Sequence, residues 1–200
     1  MGQTLWQHLT QKQAEAKQEE KNTLYNELGL KVGQILSFDV LDYRGQDFTV
    51  MRLKECNRHI ESEEFKSNTY VLLAEPPVTP AEECWIGLRV WDKKCWLFRL
   101  VDDFAFDENF LAVLKDAMLT SFNLDDEGAI FIPVGAPFYL YITNDLRERS
   151  RIQRWQFERT AKDEAGQDYL ELLYVEQDDG TGWFSIWRGT EVPMDRILII

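Results

Sequence analysis

Histidine is nearly absent from this chain, with two among 200 residues. Nucleophilic catalysis of the Ser/His/Asp or Cys/His kind needs an imidazole to take the proton, so only His8 and His59 are open to it. His8 lies among strong helix formers, where a solvated or packing role accounts for it. His59 follows Cys56 by three positions, and in an extended segment that spacing sends the two side chains to opposite faces. No G-x-S-x-G elbow surrounds any serine. Cysteine is scarce too, with three residues in all. Cys56, Cys84 and Cys95 lack CxxC spacing, sit in strand-like apolar surroundings and read as small, reduced, buried hydrophobes, which fits a cytoplasmic location.

Long apolar runs are missing. The most apolar window, Ala129 to Ile142, is broken by Pro133, Gly135 and Pro137 and falls short of the ~20 residues of a spanning helix. The first thirty residues hold no apolar core of signal-peptide length, so neither membrane insertion nor secretion is expected. Basic charge is short as well: 22 Lys and Arg against 35 Asp and Glu give a net charge of -13. Such a field repels phosphate backbones and anionic membrane surfaces, which argues against a nucleic-acid partner. Gly180 and Gly182 form a Gly-x-Gly turn, but it joins two strands without a following helix, and Asp178 and Asp179 would repel a phosphate.

Carboxylates are abundant. They cluster at Asp102-Asp103 with Asp107-Glu108, at Asp125-Asp126-Glu127 and at Asp178-Asp179. None has calcium-loop spacing, and each reads as a solvated turn or a helix N-terminus, so no metal or cofactor is expected. A hydrolase that draws its two carboxylates from distant strands would leave no local signature.

The chain opens with helix formers. Residues 4 to 28 predict one long helix, or two with a break at Asn22-Thr23, with Thr4 and Gln7 in capping-box spacing and Gly29 at the C-terminus. From Leu30 the period changes to two. Gln34 to Asp42 and Asp47 to Cys56 flank a turn at Tyr43-Arg44-Gly45-Gln46; Phe65 to Glu75, Cys84 to Trp91 and Cys95 to Val101 follow as strands. Asp107 to Asn123 returns to helical period, with Asp107 as cap. Ala129 to Val134, Phe138 to Thr143, Ile152 to Thr160, Tyr169 to Gln177, Trp183 to Arg188 and Arg196 to Ile200 are strands again. The expected fold class is α+β: mostly antiparallel sheet in two packed meanders or half-barrels, with an N-terminal and a mid-chain helix. The expected organisation is a helical appendage over 1–28, a first meander over 29–104, a connecting helix over 105–127 and a second meander over 128–200. A weak likeness between Tyr70 to Arg89 and Leu172 to Arg188 leaves a duplicated lobe open.

Tryptophan is the unusual abundance, with seven residues. In Trp183 to Arg188 alternation sends Trp183, Ser185 and Trp187 to one face and Phe184, Ile186 and Arg188 to the other, so both faces carry large apolar groups. An indole on a solvent face beside arginine makes a surface that binds proteins or flat ligands. The candidate binding surface comprises Trp183, Trp187, Arg188, Trp155, Trp85 and Arg89. With the three catalytic signatures missing, the sequence points to a non-enzymatic protein acting through a protein partner. A small-molecule binder or a hydrolase, with carboxylates assembled between the two β-lobes, is the alternative. An acidic mimic of nucleic acid rests on charge alone.

Overall fold

The computed structural model describes residues 28–40, 43–60, 63–74, 83–89, 94–124, 128–143, 148–163 and 165–200. The chain divides into two compact units, Met1–Leu30 and Lys31–Ile200, and every described strand belongs to the second. The elements are β1 (Ile35–Phe38), β2 (Asp47–Ile60), β3 (Glu63–Ala74), β4 (Glu83–Arg89), β5 (Lys94–Phe104), α1 (Glu108–Ala117), β6 (Phe122–Asn123), β7 (Ile130–Pro133), β8 (Phe138–Thr143), β9 (Arg149–Lys162), β10 (Asp168–Asp178), β11 (Phe184–Val192) and β12 (Ile197–Ile199), with a 3-10 turn at Met194–Arg196.

Strands dominate the described residues, and α1 is the one helix longer than a turn among them, so the fold is mostly antiparallel β rather than α+β. The helix expected over 4–28 falls almost entirely on 1–27, outside the described residues. The assembly is more specific than two packed meanders or half-barrels: the halves join edge to edge into one sheet that closes on itself. β5 pairs with β11 from Cys95–Val192 to Phe104–Phe184, and β8 bridges β2 on one edge and β9 on the other. The circuit β2-β3-β4-β5-β11-β10-β9-β8 is therefore an eight-stranded antiparallel barrel. Closure pairs the edges that two separate meanders would leave open. β12 and β1 extend the sheet beyond β2, and β7 with β6 extends it beyond β9.

The local elements follow from their residues. Gly45 takes a positive φ of 80° in the turn between β1 and β2, the left-handed conformation for which glycine is suited. The carboxylate of Asp107 caps α1 by accepting from the backbone N–H of Asn109 at 2.7 Å and of Phe110 at 3.2 Å. The helix is shorter than its sequence period suggests, because Phe122 leaves it to pair with Phe131 as a strand. Two bulges bend the wall: Met51 on β2 and Val101 on β5 have no direct cross-strand partner, and both side chains are exposed.

The width of the barrel can be read from its ladders. Arg52 connects through Val71, Trp85, Phe98, Gly189 and Leu172 to Glu158 on β9. The short way round starts further along β2, at Cys56, and passes Ile142 to reach Ser150. Projecting Arg52 by the same route lands before Ser150, so the circuit closes with a stagger of about twelve residues. An eight-stranded barrel staggered by about eight fills itself with its own side chains. More stagger tilts the strands further and widens the bore.

Candidate functional site: the barrel lumen

Contacts that skip a strand identify the inner face. Trp85 on β4 meets Tyr174 on β10 with ring centroids 6.3 Å apart, and meets Trp187 on β11 edge-on at 5.5 Å. With Phe98 of β5, Trp85 and Tyr174 form a row across the wall. Trp85 stacks on Phe98 at 4.0 Å and 13°, and Phe98 stacks on Tyr174 at 4.7 Å and 29°. The Arg154 guanidinium continues the row, lying 4.3 Å from the Tyr174 ring centroid.

Two glycines make room for the row. A Cβ at Gly189 would lie 2.4 Å from Cδ1 of Phe98, and one at Gly87 would lie 2.9 Å from Cζ3 of Trp85. Neither glycine needs a positive φ; each is required because a ring covers its backbone.

The polar end of the lumen is built on Arg154 and Glu176, direct neighbours across the β9–β10 ladder. Arg154 donates to Oε1 of Glu176 from Nε at 2.7 Å and also from Nη2. Both side chains are only 12% exposed. Burial works against the charge on Arg154, and Glu176, with smaller help from Tyr174 and Cys56, more than offsets it, so the guanidinium is held above its usual range. On β2, one strand beyond β8, the Cys56 thiol shares a 3.3 Å hydrogen bond with the Thr69 hydroxyl. Burial raises that thiol's pKa, with Arg154 the strongest opposing influence. Arg58 lies 3.6 Å over the Phe138 ring. The indole Nε1 of Trp187 is buried and meets no acceptor among the described residues.

The outer face of the same strands is different. Trp155, Phe157, Leu173, Val175, Phe184 and Ile186 form a buried apolar cluster with Leu114 and Ala117 of α1, Phe122 and Phe131. Beyond it, Glu171 is 3% exposed and accepts from Arg159, from Arg188 at 2.8 Å and 3.1 Å, and from the Tyr169 hydroxyl at 3.3 Å. A cleft of about 660 Å³ beside α1 has Phe104, Phe110, Phe122 and Ile186 in its lining, with Asp102, Asp107 and Asp116.

The six residues of the expected binding surface are therefore distributed over different surroundings. Trp85 and Trp187 line the lumen, Trp155 is under α1, Arg188 belongs to the Glu171 cluster, and Trp183 stands exposed at the β10–β11 turn. Arg89 ends β4, opposite Lys94. All three cysteines are free and buried. Of the carboxylate clusters, Asp107 caps α1, and Asp178 accepts from the backbone of Gly180 and Thr181. Asp179 pairs with Arg151 at 3.3 Å, while 125–127 lie outside the described residues. Among the described residues no group of three or more His, Cys, Asp or Glu is placed to hold a metal ion, and no described helix is long and apolar enough to cross a membrane.

Sequence reasoning passed over Glu176, Gly87 and Gly189, and placed Arg154 only among the arginines beside exposed indoles. Their signal was present: a charge between large apolar neighbours in mid-strand, and a glycine where a strand should carry a side chain. No family model matches the chain, and no curated protein or solved structure matches it either.

Proposed function

We propose that this protein is a non-enzymatic binder of a small molecule, which it holds in the lumen of its barrel. The observation that carries this reading is the lumen's chemistry: a nearly buried Arg154–Glu176 ion pair beside an aromatic row, inside a barrel staggered beyond the self-filling case. A core built for stability alone is better served by apolar packing, because desolvating two charges costs as much as their attraction returns. Convergent polar groups in an aromatic-lined concavity are what a ligand site presents. Catalysis is less well supported, since Glu176 accepts two N–H groups from Arg154 and is held as an ion-pair partner instead of a free acid or base. The buried thiols fit a reducing cytoplasm.

Native mass spectrometry of the protein isolated from its own cells tests the reading. A stoichiometric small-molecule adduct, released on denaturation, is expected. A bare chain that also takes up nothing from a cell extract would remove it. A protein partner remains a second reading, favoured by exposed Trp183 and by the acidic, aromatic cleft beside α1, which suits a basic segment with apolar side chains.

A further inference from the structure

We infer that the lumen is matched to a planar organic anion: a flat apolar body against the aromatic row and an acidic group held by Lys54. The inference rests on the lumen being the binding site. Lys54 pairs with Thr69 across β2 and β3 and alternates with Cys56, so it shares the inner face. The charges that act on the Cys56 thiol are Arg154, Glu176 and Lys54, two cations to one carboxylate. Arg154 is matched by Glu176. Lys54 is half-buried, and its side chain has no hydrogen bond or ion pair among the described residues. A chain with a net charge of -13 thus keeps an unmatched cation on the inner wall of its barrel.

The second unmatched group is the Nε1–H of Trp187. Indole is a donor only, so whatever satisfies it must bring an acceptor oxygen or nitrogen. Trp187 meets Trp85 edge-on, at the end of the stacked row. The rings of the row are buried against one another, but Trp187 at its end is only partly buried, so its ring can take a flat conjugated body, and the lone ammonium selects the charge. Together the two groups ask for an acceptor and a negative charge, and the row asks for a plane.

Two dyes separate the terms. Anilinonaphthalene sulfonate is an aromatic anion built on a flat naphthalene, and N-phenyl-1-naphthylamine has the same aromatic body without the sulfonate. Each is titrated into the full chain at low salt, by fluorescence for affinity and by the indole N–H signal of Trp187, assigned with Trp187→Phe, for location. The anionic dye is expected to bind with one-to-one stoichiometry, to move the Trp187 signal and to bind about tenfold more tightly than the neutral one. Lys54→Met should remove that advantage without affecting the neutral dye, and Lys54→Arg should restore it. If both dyes move the Trp187 signal with equal affinity and Lys54→Met changes neither, the charge selection is wrong while the lumen stands as a binding site. If neither dye moves that signal, the lumen reading falls and the inference with it.

Discussion

The two faces of β9, β10 and β11 are made from alternate residues of the same three strands, yet they are built to different rules. Outside, Trp155, Phe157, Leu173, Val175, Phe184 and Ile186 interlock with α1 as an apolar core. Inside, neighbours one position away supply Arg154, Tyr174, Glu176, Trp187 and Gly189. Among the described residues the outer cluster holds no buried side-chain polar atom that lacks a partner, whereas the inner face holds an ion pair and the Trp187 donor without an acceptor. Buried ion pairs occur on both faces, at Glu171 outside and at Arg154–Glu176 inside; what sets the outer face apart is the larger apolar cluster beneath the helix.

If that division is right, substitutions on the two faces will behave differently. Phe157 is fully buried in the outer cluster, so Phe157→Ala should cost about 3–5 kcal/mol in urea unfolding, the range for deleting a buried ring. A cost under about 1 kcal/mol would show that α1 and its cluster are not where the stability lies. On the inner face, Gly189→Ala pushes a methyl into the Phe98 ring and should cost about 1–3 kcal/mol through overpacking. Adding Phe98→Ala should recover part of that loss, a non-additivity visible in a double-mutant cycle.

The thiols compare the faces by pH. Cys56 points into the lumen, and Cys95, across from Val192, belongs to the outer wall. Burial pushes Cys95 up to about 12 and raises Cys56 as well. Between about 9 and about 12 the unfolded chain has released thiol protons that the native state still holds. Stability should therefore fall as pH rises, by about 1.4 kcal/mol per pH unit for each thiol fully titrated in the unfolded chain. The fall of urea midpoints across this window should be reduced in Cys95→Ala, and in Cys56→Ala as well. A change in one variant alone would mean that the other thiol reaches water.

The smallest effect is expected at Trp187→Phe. It deletes an indole N–H that has no partner among the described residues, so the lost ring area is offset by relief of a buried unsatisfied donor. The net change should stay within about 1 kcal/mol. A loss of about 3 kcal/mol or more would place Trp187 with Phe157 as plain core.

Much of the local structure was legible in the sequence. Phe138 to Thr143 is β8 to the residue, Asp107 caps its helix, and Gly45 makes its turn. These follow from period, capping chemistry and glycine placement, all local properties. Closure was not legible, because nothing near Glu55 marks Thr143 as its partner, nor anything near Cys95 marks Val192. The binding face suffered from the same gap. Alternation correctly separates Trp187 from Phe184, but both sides of that strand carry large rings, so only the barrel's curvature decides which lies inside.

The six-residue strand β8 has a consequence for how the chain reaches its native state. It supplies the seam between β2 and β9, and the other long-range seam joins β5 to β11. When β2 to β5 have been synthesised, both of their outer edges still await partners from the last third of the chain. A four-stranded sheet with open edges pairs readily with another copy of itself. Pairings so distant in sequence also form slowly, since the loop entropy is spent before the contacts are made. The nascent protein therefore passes through a period of aggregation risk that ends only when β8 and β11 arrive, and rapid synthesis at high concentration is the condition under which it is most exposed.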